Sequence, residues 1–273
     1  MRFIYPFIYG NWLISISAGM LTAGVSRFYH SEYSLINALL IGFGTLFMYN
    51  FQRIVSPAPI KPHPTERYEW SVIHKKTISV TAFVSLVTVA MLSFLGILTQ
   101  MSLITLMFAV ILGYFYAAKV PGLEKPLREI PYIKIHLVVF VWLLCCFFFP
   151  ILNKGHESST LLPFIVLNYL YLLAVTIPFD IRDIKNDFET QKTIPQVLGE
   201  KNAKTLSIAL ILLFFMGSVL LHPELKLNSW FYVAVTYQIV CISQIKKSSP
   251  DYLFSGFIDG GIVLLGIAYF VQH

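Results

Sequence analysis

The 273-residue chain is 56% hydrophobic and only 12% charged, with a mean hydropathy of +0.70. A soluble domain carries about 25% charged residues, so this composition excludes one and indicates an integral membrane protein. The net charge of +6 gives no support to nucleic-acid binding, because the placement of the basic residues between apolar runs already explains it.

A spanning helix needs roughly 17–25 mostly apolar residues, and the sequence holds about nine such runs. They lie near residues 3–25, 34–54, 77–98, 101–118, 132–152, 161–179, 204–221, 228–245 and 254–271. The expected fold is all-α, one polytopic membrane bundle over residues 1–273 with no separate soluble domain. Every Lys and Arg except Arg27, Lys154 and Lys226 falls on one set of alternate connections. That asymmetry places the N-terminus in the cytoplasm and fits an odd number of spans.

The first run carries Asn11-Trp12 about one third of the way in. A polar residue there joins helices by a hydrogen bond or contacts a ligand, and the former is the simpler reading. Its length, behind a single Arg, reads as a retained anchor rather than a cleaved signal. The second run ends in Asn50 and Arg53, one helical turn apart. A proline-rich loop follows, with Pro57, Pro59, Pro62 and Pro64 around Lys61 and His63, and then Glu66, Arg67, Glu69 and Trp70. Asn50, Arg53, Lys61, His63 and Arg67 can together form a cationic pocket rim, although the arginines serve equally well as contacts to lipid headgroups. The third and fourth runs are joined by almost nothing, which predicts an antiparallel hairpin.

The fourth run ends with Tyr114, Tyr116 and Lys119, a pattern that an aromatic belt with a snorkelling lysine accounts for. Residues 127–134 read as a short surface helix feeding the fifth run. Cys145, Cys146 and Cys241 lack metal-site spacing and read as small buried hydrophobes. The sixth run is expected to end at Pro178, one turn before Asp180, Asp183 and Asp187. If that segment continues the helix, the three aspartates share a face, since residues three and four apart are helical neighbours. Clustered carboxylates raise each other's pKa unless a cation neutralises them. Mg²⁺, an oxygen-seeking ion, suits that role; a solvated acidic loop paired locally with Arg182 and Lys185 is the alternative. Thr193 and Gln196 have capping-box spacing, opening a helix that carries Lys201 and Lys204. Asp259, deep in the last run beside Gly256, Gly260 and Gly261, is a functional or a structural ionisable group.

The aspartate stretch, the segment Lys192-Thr193-Ile194-Pro195 with Leu198-Gly199, and the final Asp259-Gly260 together resemble the UbiA superfamily of intramembrane prenyltransferases. The resemblance covers nearly the whole chain and is most specific over residues 180–199. It implies a helical bundle around a central cavity that opens to the cytoplasm and laterally to lipid. It further implies Mg²⁺-assisted binding of a prenyl diphosphate and transfer of its chain to a lipid-soluble acceptor. Asp183 and Asp187, with Asp180 alongside, would be the metal ligands and catalytic residues. Asn50, Arg53, Lys61, Arg67 and Lys119 are the candidate diphosphate contacts, and a bacterial inner (plasma) membrane is the expected location.

One part of the family pattern is absent. Its first motif starts with Asn and places aspartates one, four and eight residues later, where this chain has Phe51, Ile54 and Ala58. Three readings follow. One Mg²⁺ on Asp180, Asp183 and Asp187 suffices, with Arg53 and Lys61 or Arg67 supplying the missing positive charge to the diphosphate; Glu66 or Glu69 replaces the lost ligands; or the bundle binds an isoprenoid lipid or a protein partner without catalysis. An unrelated transporter has only Asp259 in its favour.

Overall fold

Backbone groups in a bilayer must be satisfied within the protein, which apolar runs separated by short turns achieve as helices. The computed structural model describes residues 5–31, 33–55, 66–95, 98–123, 125–153 and 161–272. In order, the helices are α1 (Tyr5–Tyr9), α2 (Trp12–Phe28), α3 (Ser34–Val55), α4 (Glu66–Ile73), α5 (Lys75–Ser93), α6 (Gln100–Ala117) and α7 (Ile133–Leu152). They are followed by α8 (Leu161–Asp183), α9 (Ile194–Leu221), α10 (Ser229–Gln244) and α11 (Leu253–Phe270). Among the described residues there is no β-strand. Seven of these helices, α3, α5 to α9 and α11, are long and apolar enough to cross a membrane; α2 and α10 are shorter, at 17 and 16 residues. The chain is thus a multi-pass membrane protein. Its centre is α7, α8 and α11, whose spans are 56%, 61% and 56% buried, whereas α5 and α6, at 17% and 22%, turn apolar faces outward.

Small residues set the closest approaches. Gly19 lies against the Ala38 carbonyl and Gly42, drawing α2 onto α3, and Gly24 lies against Gly266, drawing α2 onto α11. Close backbone approach at small residues is the usual means of joining membrane helices, where no hydrophobic drive operates between them. A Cβ on Gly266 would sit 2.6 Å from the carbonyl carbon of Met20 and 2.7 Å from the Leu21 nitrogen. Those atoms are backbone and cannot rotate away. Gly266→Ala is therefore expected to destabilise the protein by about 3 kcal/mol, the upper end of ordinary overpacking, read as a lowered unfolding midpoint in detergent.

Four local expectations are corrected. The first run is not one helix: Asn11 adopts φ 65° between α1 and α2, a left-handed conformation that Asn tolerates better than most residues. The carbonyls left free at the break are met by side chains. Gly10 O accepts from Asn50 Nδ2 at 3.4 Å, and Tyr9 O accepts from Arg53. The surface helix before α7 shrinks to a 3₁₀ turn at Leu127–Glu129, because Pro131 holds Ile130 extended and Tyr132 then turns at φ 65°. The hairpin turn before α6 is longer than expected, since α5 ends at Ser93.

The fourth correction concerns α8, which does not stop at Pro178 but runs through it to Asp183. Proline removes a helical N–H and leaves the carbonyl four residues earlier unpaired. Here that carbonyl is Ala174 O, and Ser207 Oγ of α9 donates to it at 2.7 Å. Ser207→Ala should cost about 1 kcal/mol, the net value of one such bond, measurable by the same unfolding assay. α9 in turn starts at the cap Thr193, whose N–H donates to Gln196 Oε1 at 2.9 Å. It bends at Gly199, where φ 80° demands a residue without Cβ.

The end of the bundle away from the aspartates is tied by amides. Asn153 Nδ2 donates to Asn37 Oδ1 at 3.2 Å, and Asn37 Nδ2 donates to Ser26 Oγ at 3.2 Å. The three cysteines are free; Cys146 is buried, as expected, in a π-helical turn of α7, Leu144–Phe148, whereas Cys145 and Cys241 are only partly buried.

Candidate functional site

At the aspartate end, the start of α2, the end of α3, α4, the end of α6, the start of α7, the end of α8 and the start of α11 surround one cavity of about 160 Å³. Its polar lining comprises Asn11, Arg67, Lys134, Thr176, Asp180, Arg182, Asp183, Ser255 and Asp259, and its aromatic lining Tyr49, Tyr116, Trp142 and Phe179.

Asp180 and Asp183 ride on the last turn of α8, which the continuation through Pro178 makes possible; Asp187 lies beyond the helix end. The three do not converge as one set of ligands. Lys134, in the first turn of α7, lies 2.9 Å from Asp180 Oδ1 and 2.6 Å from Asp187 Oδ2. Arg182 grips Asp183 with two bonds, Nε to Oδ1 at 2.8 Å and Nη2 to Oδ2 at 3.0 Å. Its Nη1 donates to Asp251 Oδ1 at 3.0 Å and to Ser255 Oγ at 3.4 Å. The turn before α7 is held in place by the Tyr132 N–H, which donates to Gln191 O at 2.9 Å. That bond joins the start of α7 to the segment after the aspartates and brings Lys134 onto them. Burial pushes the Asp187 carboxyl up to about 6, against the opposing pull of Lys134.

A second polar group, around Asn11 and Arg67, shares the cavity lining. Asn11 Nδ2 donates to Asn50 Oδ1 at 2.9 Å, and Asn11 Oδ1 accepts from Arg53 Nη2 at 2.9 Å and Arg67 Nη2 at 3.0 Å. The interhelical bond expected of Asn11 is present. Burial, and then the nearby Arg182, push the Arg67 guanidinium below its ordinary pKa.

Of the residues singled out in the sequence, Asp180, Asp183 and Arg67 line the cavity, and Asp187 reaches it through Lys134. Asn50 and Arg53 stand behind Asn11 and are not part of the lining, and Lys119 is exposed in the turn after α6. Lys61 and His63 lie outside the described residues. Glu66 accepts from the Tyr9 hydroxyl at 3.3 Å, and neither it nor Glu69 lines the cavity. The local pairing expected of Arg182 is present, whereas Lys134 and Asp251 are site residues that the sequence does not single out, because each looks like an ordinary charge at a membrane edge.

The donor chemistry suits a hard divalent cation. Asp180 Oδ2 and Asp259 Oδ1 are buried with no hydrogen-bond partner among the described residues, and both residues line the cavity. As the side chains stand, no three acidic, His or Cys groups among the described residues gather round one point. The carboxylates are arranged instead around an ammonium and a guanidinium.

No protein-family model and no curated protein sequence matches the chain. Solved structures do. A UbiA homolog from Archaeoglobus fulgidus bound to GPP and Mg²⁺ superposes with a TM-score of 0.60 at 13% identity, covering 96% of this chain and 99% of that one. The same organism's UbiA homolog bound to DMAPP and Mg²⁺ gives 0.56 at 14% identity, with 96% and 98% covered. A third structure, of a UbiA homolog from that organism bound to Cd²⁺, gives 0.54 at 13% identity, with 96% and 99% covered. The chain has the fold of the UbiA homologs along nearly its whole length.

Proposed function

We propose that residues 1–273 form one divergent UbiA-type domain that binds a prenyl diphosphate with Mg²⁺ and transfers the prenyl chain to a lipid-soluble acceptor. The observation that carries this reading is the mixed lining of the cavity, which combines carboxylates and guanidinium groups with Trp142, Phe179, Val138, Val175 and Ile262. An amphiphile with an anionic head and an apolar tail matches that combination. Neighbours of the same fold bound to GPP or DMAPP with Mg²⁺ support the same ligand class.

In this reading Asp180, Asp183 and Asp187, once released from Lys134 and Arg182, would hold Mg²⁺, and the ion would supply positive charge to the diphosphate leaving group. Arg67 offers the diphosphate a planar, permanently charged fork. Arg53 stands behind it on the same Asn11 carbonyl and adds positive charge where the first aspartate motif is lacking. The allylic C–O bond breaks with its electron pair leaving on the pyrophosphate. The aromatic lining, with Tyr49, Tyr116 and Trp142, supplies π-systems that would stabilise the allylic cation, and the apolar lining keeps water from it. The acceptor then attacks the allylic carbon and releases a proton. The nine-span topology, with the N-terminus and this cavity on the cytoplasmic side of a bacterial inner membrane, accords with the Lys and Arg asymmetry.

A second reading, an isoprenoid-lipid binder without catalysis, rests on a different observation. Lys134 and Arg182 neutralise the aspartates internally, so the cluster is satisfied without a metal. Pyrophosphate release separates the two. Purified protein given GPP or DMAPP, Mg²⁺ and a panel of lipid-soluble aromatic acceptors is expected to release pyrophosphate. Retention of the diphosphate with no release under any acceptor would overturn the enzymatic reading in favour of the binder.

A further inference from the structure

Lys134 occupies a position that chemistry reserves for a metal. Its ammonium bridges Asp180 Oδ1 and Asp187 Oδ2 at 2.9 and 2.6 Å, and it lines the cavity beside Arg67, Arg182 and Asp183. A divalent cation that bound both carboxylates would need the same space between them. Asp180 Oδ2, buried and without a partner among the described residues, is a ligand atom held ready on the far side of that carboxylate.

We infer that Lys134 is a tethered counter-cation that holds the aspartate site closed to free metal and moves to the diphosphate when metal and diphosphate arrive together. This rests on the proposed Mg²⁺–diphosphate reading and adds an order of binding to it. Alone, Mg²⁺ must displace an ammonium already paired with two carboxylates, and the displaced charge gains nothing in exchange. With a diphosphate present, the lysine's flexible four-carbon stem carries the ammonium to a phosphoryl oxygen. No bond is made or broken; one ion pair is exchanged for another. Because coupling between two ligands is reciprocal, diphosphate should tighten metal binding and metal should tighten diphosphate binding by the same factor. A site arranged in this way keeps both carboxylates paired between turnovers without scavenging metal from solution.

The test uses Mn²⁺ as probe, with the free ion followed by electron paramagnetic resonance in a titration of purified wild type, Lys134→Met and Lys134→Gln. Retention of radiolabelled GPP by each protein, with and without Mn²⁺, is measured in parallel. Removing a unit charge a few ångströms from the metal should tighten Mn²⁺ binding without GPP by about tenfold or more. Both variants should unfold at a lower temperature than wild type in chelator and recover when Mn²⁺ is added. The wild type alone should show strong mutual enhancement of Mn²⁺ and GPP. If Lys134→Met does not fold, Lys134→Gln, which keeps an amide donor for Asp180, decides the matter. Equal Mn²⁺ affinity in wild type and variant, with Mn²⁺-dependent GPP retention by wild type, would overturn the role of Lys134 and leave the proposed function standing. Failure of every protein to bind Mn²⁺ or GPP would overturn both.

Discussion

Replacing Asp183 and Asp187 together by Asn is expected to lower pyrophosphate release by at least about 10²–10³-fold, the scale on which removal of a group that stabilises a charged leaving oxygen is felt. The geometry makes this double variant informative, because neither cation it touches is left stranded. Arg182 keeps Asp251 at 3.0 Å and Ser255 at 3.4 Å, and Lys134 keeps Asp180 at 2.9 Å. A buried ion left alone would cost about 3–5 kcal/mol; here each keeps an opposite charge, so the fold should hold while the proposed metal ligands are lost. The measurement is release rate in wild type and variant at equal folded concentration, the folded fraction being set by size-exclusion elution and unfolding midpoint. Turnover unchanged in the double variant would remove these aspartates from the chemistry.

The largest stability effect is expected at Asn11. Its carbonyl oxygen is the shared acceptor for Arg53 and Arg67, and its amide nitrogen is the donor to Asn50. Asn11→Ala removes all of these at a fully buried position. Hydrogen bonds to charged groups contribute about 1.5–3 kcal/mol each, so losing two guanidinium contacts costs about 3–6 kcal/mol. The left-handed backbone at φ 65° adds about 1–2 kcal/mol for an alanine. Asn11→Gly separates the two contributions, because glycine accepts the backbone conformation but supplies no acceptor. The expected order of unfolding midpoints is wild type, then Asn11→Gly, then Asn11→Ala. Affinity for a prenyl diphosphate should fall in both variants as Arg67 loses its anchor. An Asn11→Ala protein as stable as wild type would show that the guanidinium groups find acceptors elsewhere.

The helical architecture was legible because hydropathy counts residues, and a bilayer-length apolar run has few other folds open to it. Helix ends were less so. Pro178 reads as a terminator, and it fails to act as one only because Ser207, far away in sequence, satisfies the Ala174 carbonyl. Asn11 carried a correct signal for a bond between helices, but the chain break at that residue depends on Asn50 and Arg53 meeting the freed carbonyls. In the site, the aspartates stood out by their spacing and Arg67 by its place in a cationic loop. Arg182 stood out as a local partner of the aspartates, but Lys134 did not. A positive charge at the edge of a span is what topology alone demands, and only the folded arrangement shows which carboxylate it meets. The apolar lining of the cavity was illegible for a related reason, since membrane helices are apolar on every side and hydropathy does not mark the face turned inward.

The most direct test of the central claim is equilibrium binding of radiolabelled GPP to the purified protein in detergent, with Mg²⁺ and with chelator in its place. The expected result is saturable retention that requires Mg²⁺ and is lost when Asp183 and Asp187 are both Asn. No retention in either condition, or retention indifferent to both metal and aspartates, would contradict a Mg²⁺-assisted prenyl-diphosphate site in this cavity.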